Sequence, residues 1–162
     1  MVDSVQFAKQ HAVERRSVAV SEFKRLAQLV LSDEGEFEVG LEGFEDSEGR
    51  PCLQLHVAGS MTVTCQRCLE PLELGIVSDH RFVLAESEQD LMDPGDEADD
   101  VDSLLADSKL DAMALAEDEI LLQIPMAPVH EENTCTQPQW SSDAGSEGSP
   151  FSVLGALTNT KD

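Results

Sequence analysis

At 162 residues and 17.6 kDa the chain is the size of one ordinary domain with some linker to spare. Apolar residues make up 41%, enough for a core, but aromatics are only 4% and tyrosine is absent, so that core must be aliphatic. Thirty-three acidic residues against ten basic ones give a net charge of −23, which repels phosphate backbones and argues against non-specific nucleic-acid binding as the main activity. The longest unbroken apolar run, Ala112 to Ala116, is far too short for a membrane span. The N-terminal stretch carries Asp3, Lys9, Glu14, Arg15 and Arg16 where a secretory signal needs an apolar run. A cytoplasmic location is therefore expected, with the four cysteines serving as thiols or metal ligands instead of disulfides.

Taken in chain order, short strands come first and one strong helix later. Ser17 to Val20 reads as a short strand or an entry segment. Ser21 offers an N-cap, and Phe23, Leu26, Ala27 and Val30 fall at helical spacing, which predicts an amphipathic N-terminal helix. Glu36 to Glu42 and Cys52 to Ala58 alternate as half-buried strands do, with Asp46 to Pro51 as the turn between them. Met61 to Thr64, Leu72 to Val77 and Arg81 to Ala85 continue in strand-forming residues. No crossover helix separates these segments, so the expectation is an α+β fold with an antiparallel meandering sheet that could close into a barrel.

Glu86 to Asp102 holds nine acids and no base around Pro94-Gly95, and reads as a flexible acidic loop, either a solubiliser or a lure for a basic partner. Leu104-Leu105 suggests a last short strand. Lys109 to Ile124 predicts a helix stopped by Pro125, apolar on more than one side and therefore either buried in the core or covered by a partner. Residues 1–137 are read as a single α+β domain, 138–150 as a linker, and 151–162, opening on Phe151 to Leu157, as a C-terminal docking segment and tail.

The chemistry is confined to thiols and one imidazole. Cys65-Gln66-Arg67-Cys68 is a CxxC whose spacing lets two sulfurs face one tetrahedral ion. His130 and Cys135 supply two further ligands with a workable loop spacing, so Cys65, Cys68, His130 and Cys135 are the candidate structural zinc set. The same residues also fit a metal-free thiol cluster, or a small redox protein built on CxxC, although the strand–helix setting of a thioredoxin-type motif is missing because Pro71 and a strand follow. Cys52 reads as a small buried hydrophobe. Glu117-Asp118-Glu119 cannot converge on one substrate, because consecutive helical side chains fan out by about 100° each. His11, His56 and His80 have no acid or nucleophile at catalytic spacing. Nothing points to an enzyme.

The CQRC of residues 65–68, the string Ala116 to His130 (AEDEILLQIPMAPVH), Cys135 and the terminal Ser149 to Leu157 (SPFSVLGAL) together resemble the YceD family, the bacterial large ribosomal RNA subunit accumulation proteins; the stretch Ala8 to Leu26 is similar in spacing. The resemblance implies a non-enzymatic role in the synthesis, processing or stability of 23S rRNA, and so in large-subunit assembly. Other branches of the family have a cysteine-rich C-terminal segment similar to a zinc ribbon, where this chain keeps only His130 and Cys135. Joined to the charge of −23, the implied role suits an acidic adaptor or chaperone that holds a basic protein, either a ribosomal protein or an rRNA-processing factor. The alternative is direct rRNA binding by the basic residues Lys9, Arg15, Arg16, Lys24 and Arg25, which are interleaved with the acids Glu14 and Glu22 and make a sparse footprint. No membrane partner is expected.

Overall fold

The structure, a computed structural model, describes residues 1–91, 101–131 and 134–135. Helix α1 (Ser4–Lys9) leads into strand β1 (Val13–Ala19), followed by β2 (Gly35–Glu45), β3 (Pro51–Thr64), β4 (Pro71–Ala85), β5 (Val101–Leu105) and helix α2 (Ala112–Gln123). The five strands form one sheet in sequence order. β1 to β4 are an antiparallel meander, with Val18 opposite Phe37, Leu41 opposite Leu55, and Val57 opposite Ser78. The predicted alternation of β2 and β3 therefore holds, and the segments read separately at 52–58 and 61–64 are one strand, as are those at 72–77 and 81–85.

Two expectations about the sheet need correction. It is open, with β1 and β5 at its edges, and does not close into a barrel. β5 runs parallel to β4, pairing Arg81 with Val101 and Ala85 with Leu105. A parallel neighbour needs a connection long enough to travel back along the strand, and residues 86–100 supply that length. The acidic stretch accordingly ends before Val101 and Asp102, which belong to β5.

One face of the sheet carries the core. Phe37, Leu53, Leu55 and Val57 are fully buried there with Val18, Met61 and Ile120. α1 lies against this face where Gly43 leaves room: a Cβ at Gly43 would sit 2.4 Å from the Phe7 carbonyl oxygen and 2.7 Å from the Ala8 Cα. α1 was not foreseen, because it buries only Ser4 and Ala8 and shows no apolar stripe; Asp3 caps it by accepting the Gln6 N–H at 2.9 Å.

The helix expected over residues 21–30 is instead two single 3₁₀ turns, at Val20–Glu22 and Leu26–Gln28. Phe23 and Leu26 are buried as anticipated. The backbone N–H groups of Arg25 and Leu26, however, donate to the Glu117 carboxylate at 2.6 and 3.1 Å. A tertiary acceptor thus takes donors that a continuous helix would have used internally.

α2 begins at Asp111, whose side chain accepts from the Met113 and Ala114 N–H groups, and ends before Ile124 and Pro125. It is not buried all round: Ala116, Glu117, Glu119 and Ile120 face inward, while Leu122 is 79% exposed. The linker read at 138–150 and the docking segment at 151–162 lie outside the described residues.

Candidate metal centre

The tight turn from β3 into β4 presents the two CxxC sulfurs. Its frame is two backbone bonds, Cys65 N–H to Glu70 C=O at 3.0 Å and Leu69 N–H to Cys65 C=O at 2.9 Å, and Leu69 adopts the left-handed conformation (φ 64°) that closes the turn. Pro125 ends α2, and the strap that follows is fastened to the turn by the Gln66 N–H, which donates to the Pro128 carbonyl at 2.8 Å. That bond delivers His130 and Cys135 to the sulfurs.

One ligand atom from each of Cys65, Cys68, His130 and Cys135 lies within 4.8 Å of the others. Cys65 Sγ and Cys135 Sγ are 3.7 Å apart, and His130 Nδ1 lies 3.4 Å from Cys68 Sγ and 3.7 Å from Cys135 Sγ. A tetrahedral zinc with ordinary Zn–S and Zn–N bond lengths requires S–S edges of ~3.8 Å and S–N edges of ~3.6 Å. The donor set therefore fits that ion in both chemistry and spacing. His130 has the accompanying orientation, with Nδ1 toward the sulfurs and Nε2 3.0 Å from the Pro71 carbonyl, an acceptor that fixes ring and tautomer.

The surroundings favour the thiolate at Cys65. Burial pushes the Cys65 thiol up, but N–H groups of the Cys68 and Arg67 backbone outweigh it, with help from the His130 backbone and the Cys68 thiol, and bring it down to about 5. Cys68 moves the other way: the Glu70 N–H lowers it, while desolvation and the neighbouring sulfurs of Cys65 and Cys135 raise it further. Contacts with the sulfurs of Cys65 and Cys135 hold the His130 imidazole above its ordinary value. Arg67, which the sequence reading did not single out, brings its Nε to 2.9 Å from Cys135 Sγ and donates from its terminal nitrogen to the carbonyls of His130 and Glu131. It supplies positive charge to a three-sulfur site and clips the strap in place.

The other residues read as functional are dispersed. Lys9, Arg15, Arg16, Lys24 and Arg25 are all exposed, but Arg15 and Arg16 point to opposite faces of β1, and Arg25 is committed to Glu117 and Asp118. The three consecutive acids of α2 diverge as expected: Glu117 and Asp118 hold Arg25, whereas Glu119 accepts from Ser78 Oγ at 2.5 Å and from Gln123 Nε2 at 3.0 Å. His80, 3.9 Å from Glu119, also meets Asp102 at 2.9 Å and so ties β4 to β5 and α2. His56 meets Asp79 at 2.8 Å. Cys52 is fully buried.

An open five-stranded α+β sheet whose hairpin turn and post-helical strap share one cysteine–histidine centre defines the class of this protein. The family model described as large ribosomal RNA subunit accumulation protein YceD matches residues 53–158, more than half of the chain, and the chain belongs to that family. The matched stretch contains all four cluster residues; the similarity noted at Ala8 to Leu26 lies outside it. No solved structure matches the chain.

Proposed function

We propose that this protein promotes accumulation of large-subunit ribosomal RNA as a non-enzymatic cytoplasmic factor, working as an acidic adaptor or chaperone through contact with a basic protein of the assembly pathway. Membership of the accumulation-protein family carries the first part of this reading. The net charge of −23 carries the second, because a polyanion attracts cationic proteins and repels RNA. Loss of the protein should lower large-subunit rRNA relative to small-subunit rRNA, and an unchanged ratio across growth conditions overturns the assignment. Affinity purification at low and high salt, with and without ribonuclease, checks the mode: a basic protein partner survives ribonuclease and leaves at high salt.

Cys65, Cys68, His130 and Cys135 hold a structural zinc in this reading. When bound, zinc supplies a crosslink between the β3–β4 turn and the strap after α2. The spacing of the four ligand atoms and the outward acceptor on His130 Nε2 support it. Protein purified without chelator should carry about one zinc per chain, lost on Cys68→Ser or His130→Ala. Freely titrating native thiols with substoichiometric metal would assign the cluster to thiol chemistry instead.

A further inference from the structure

We propose that the free edge of β4 is the docking site for the cationic partner, an extended lysine- or arginine-bearing segment that adds as a strand beside Leu72–His80. This inference rests on the adaptor reading above and assigns it a surface. β5 covers β4 only from Arg81 to Ala85, so the nine residues before it pair with β3 alone among the described residues. A row of unpaired N–H and C=O groups of that length is a template for another extended chain. Natural sheets shield such edges or use them.

The side chains along this edge select the occupant. Glu73 and Asp79 point to the outer face of the sheet, with Val77, 73% exposed, between them. This part of the face is open: a Cβ at Gly75 would meet no atom within 4 Å, and one at Gly40 only its sheet neighbours Arg15 and His56. Glu36 and Glu38 extend the acidic surface onto β2, in register with Gly75 and Val77 across β3. Glu38 has no ion-pair partner among the described residues. A strand added at β4 would place alternate side chains over this surface, where lysine or arginine stems cover Val77 and their charges meet Glu73 and Asp79. The chain's own bases from Lys9 to Arg25 are already placed in α1, β1 and the turns at 20–28. Its last base before Lys161 is Lys109, and every charged residue of 86–100 is an acid. The occupant is therefore a different molecule.

The test is a titration of the full-length, isotopically labelled protein with an unstructured nine-residue peptide of alternating lysine and valine, read by amide chemical shifts and hydrogen exchange. Shifts and slowed exchange should concentrate on residues 72–80, with weaker shifts at Glu36 and Glu38. The double variant Glu73→Gln/Asp79→Asn should weaken binding about tenfold with an unchanged thermal midpoint. Shifts confined to residues 86–102 would overturn the edge while leaving the adaptor reading intact. No binding anywhere, together with no basic protein retained from cells, would remove both. If Phe151→Asp in the full chain shifts the same β4 amides without peptide, the edge is already filled from within, which also overturns the proposal. A β4 signal that the double variant leaves unchanged would show that charge does not select the occupant, and would overturn it too.

Discussion

Two segments of this protein are pinned to its sheet by polar anchors, and the anchors differ in kind. Near the N-terminus, the turns at 20–28 are held by Glu117, which accepts two backbone N–H groups and the Arg25 Nε at 3.0 Å. After α2, the strap of residues 126–131 and 134–135 is held by three sulfurs, an imidazole and Arg67. The Glu117 clamp is complete in amino acids alone: every buried carboxylate oxygen has a donor, and no described buried side-chain polar atom lacks a partner. The sulfur centre brings together four electron-pair donors that repel one another when deprotonated. A cation resolves that conflict, so the first anchor should respond to mutation and pH, and the second to chelators.

The sharpest way to break the comparison is to remove metal. A strong chelator should lower the thermal midpoint of the zinc-loaded protein by on the order of 10 °C, while Glu117→Ala protein, already destabilised, should lose a similar further amount because the anchors share no contacts. Scanning calorimetry with zinc add-back measures both.

Glu117→Ala alone should cost about 2–3 kcal/mol, since it leaves the N–H groups of Arg25 and Leu26 without their acceptor. Arg25→Ala, which removes a half-exposed partner, should cost clearly less. Chemical denaturation resolves the two, and equal costs would contradict the ranking. Gly43→Ala probes a third attachment, that of α1, and should cost about 2 kcal/mol because its Cβ meets backbone that cannot swing aside.

The smallest effect is in pH dependence. Burial pushes the Glu117 carboxyl up, but the N–H groups of Leu26 and Arg25 and the guanidinium outweigh it and hold the carboxyl below its ordinary 4.5. A depressed carboxylate contributes stability above its unfolded value, and that contribution fades as pH falls through the folded one. Glu117→Gln should therefore flatten the loss of stability below about pH 4.5 and leave the slope at neutral pH unchanged. Urea midpoints from pH 7 to pH 3 check this.

The difference in kind also explains what could be read beforehand. The sulfur centre was legible because cysteine and histidine are rare and their chemistry narrows their use; CxxC with His130 and Cys135 is enough to name the four residues that cluster. Arg67 was not, since an arginine between two cysteines has no signature until the strap arrives beside it. The Glu117 clamp was hidden for the same reason, with its partner 92 residues away. Hidden with it was the fate of Phe23 and Leu26, whose spacing suits a helix and a 3₁₀ turn alike. β2 and β3 showed themselves because one face is core and the other open, which imposes strict alternation. The direction of β5 left no trace, as alternation carries no information about parallel or antiparallel pairing.

The spacing of the sulfur centre along the chain has a kinetic consequence. Each antiparallel strand pairs with its sequence neighbour, so the sheet can assemble from contacts local in sequence. The centre instead joins Cys68 to His130 and Cys65 to Cys135 across 62 and 70 residues. During synthesis the first two sulfurs are made long before their partners, and the site can close only after Cys135 has been added to the chain. Its closure is thus a late event, and capture of an ion there would mark a chain that has been synthesised past its helix and folded back onto its own hairpin.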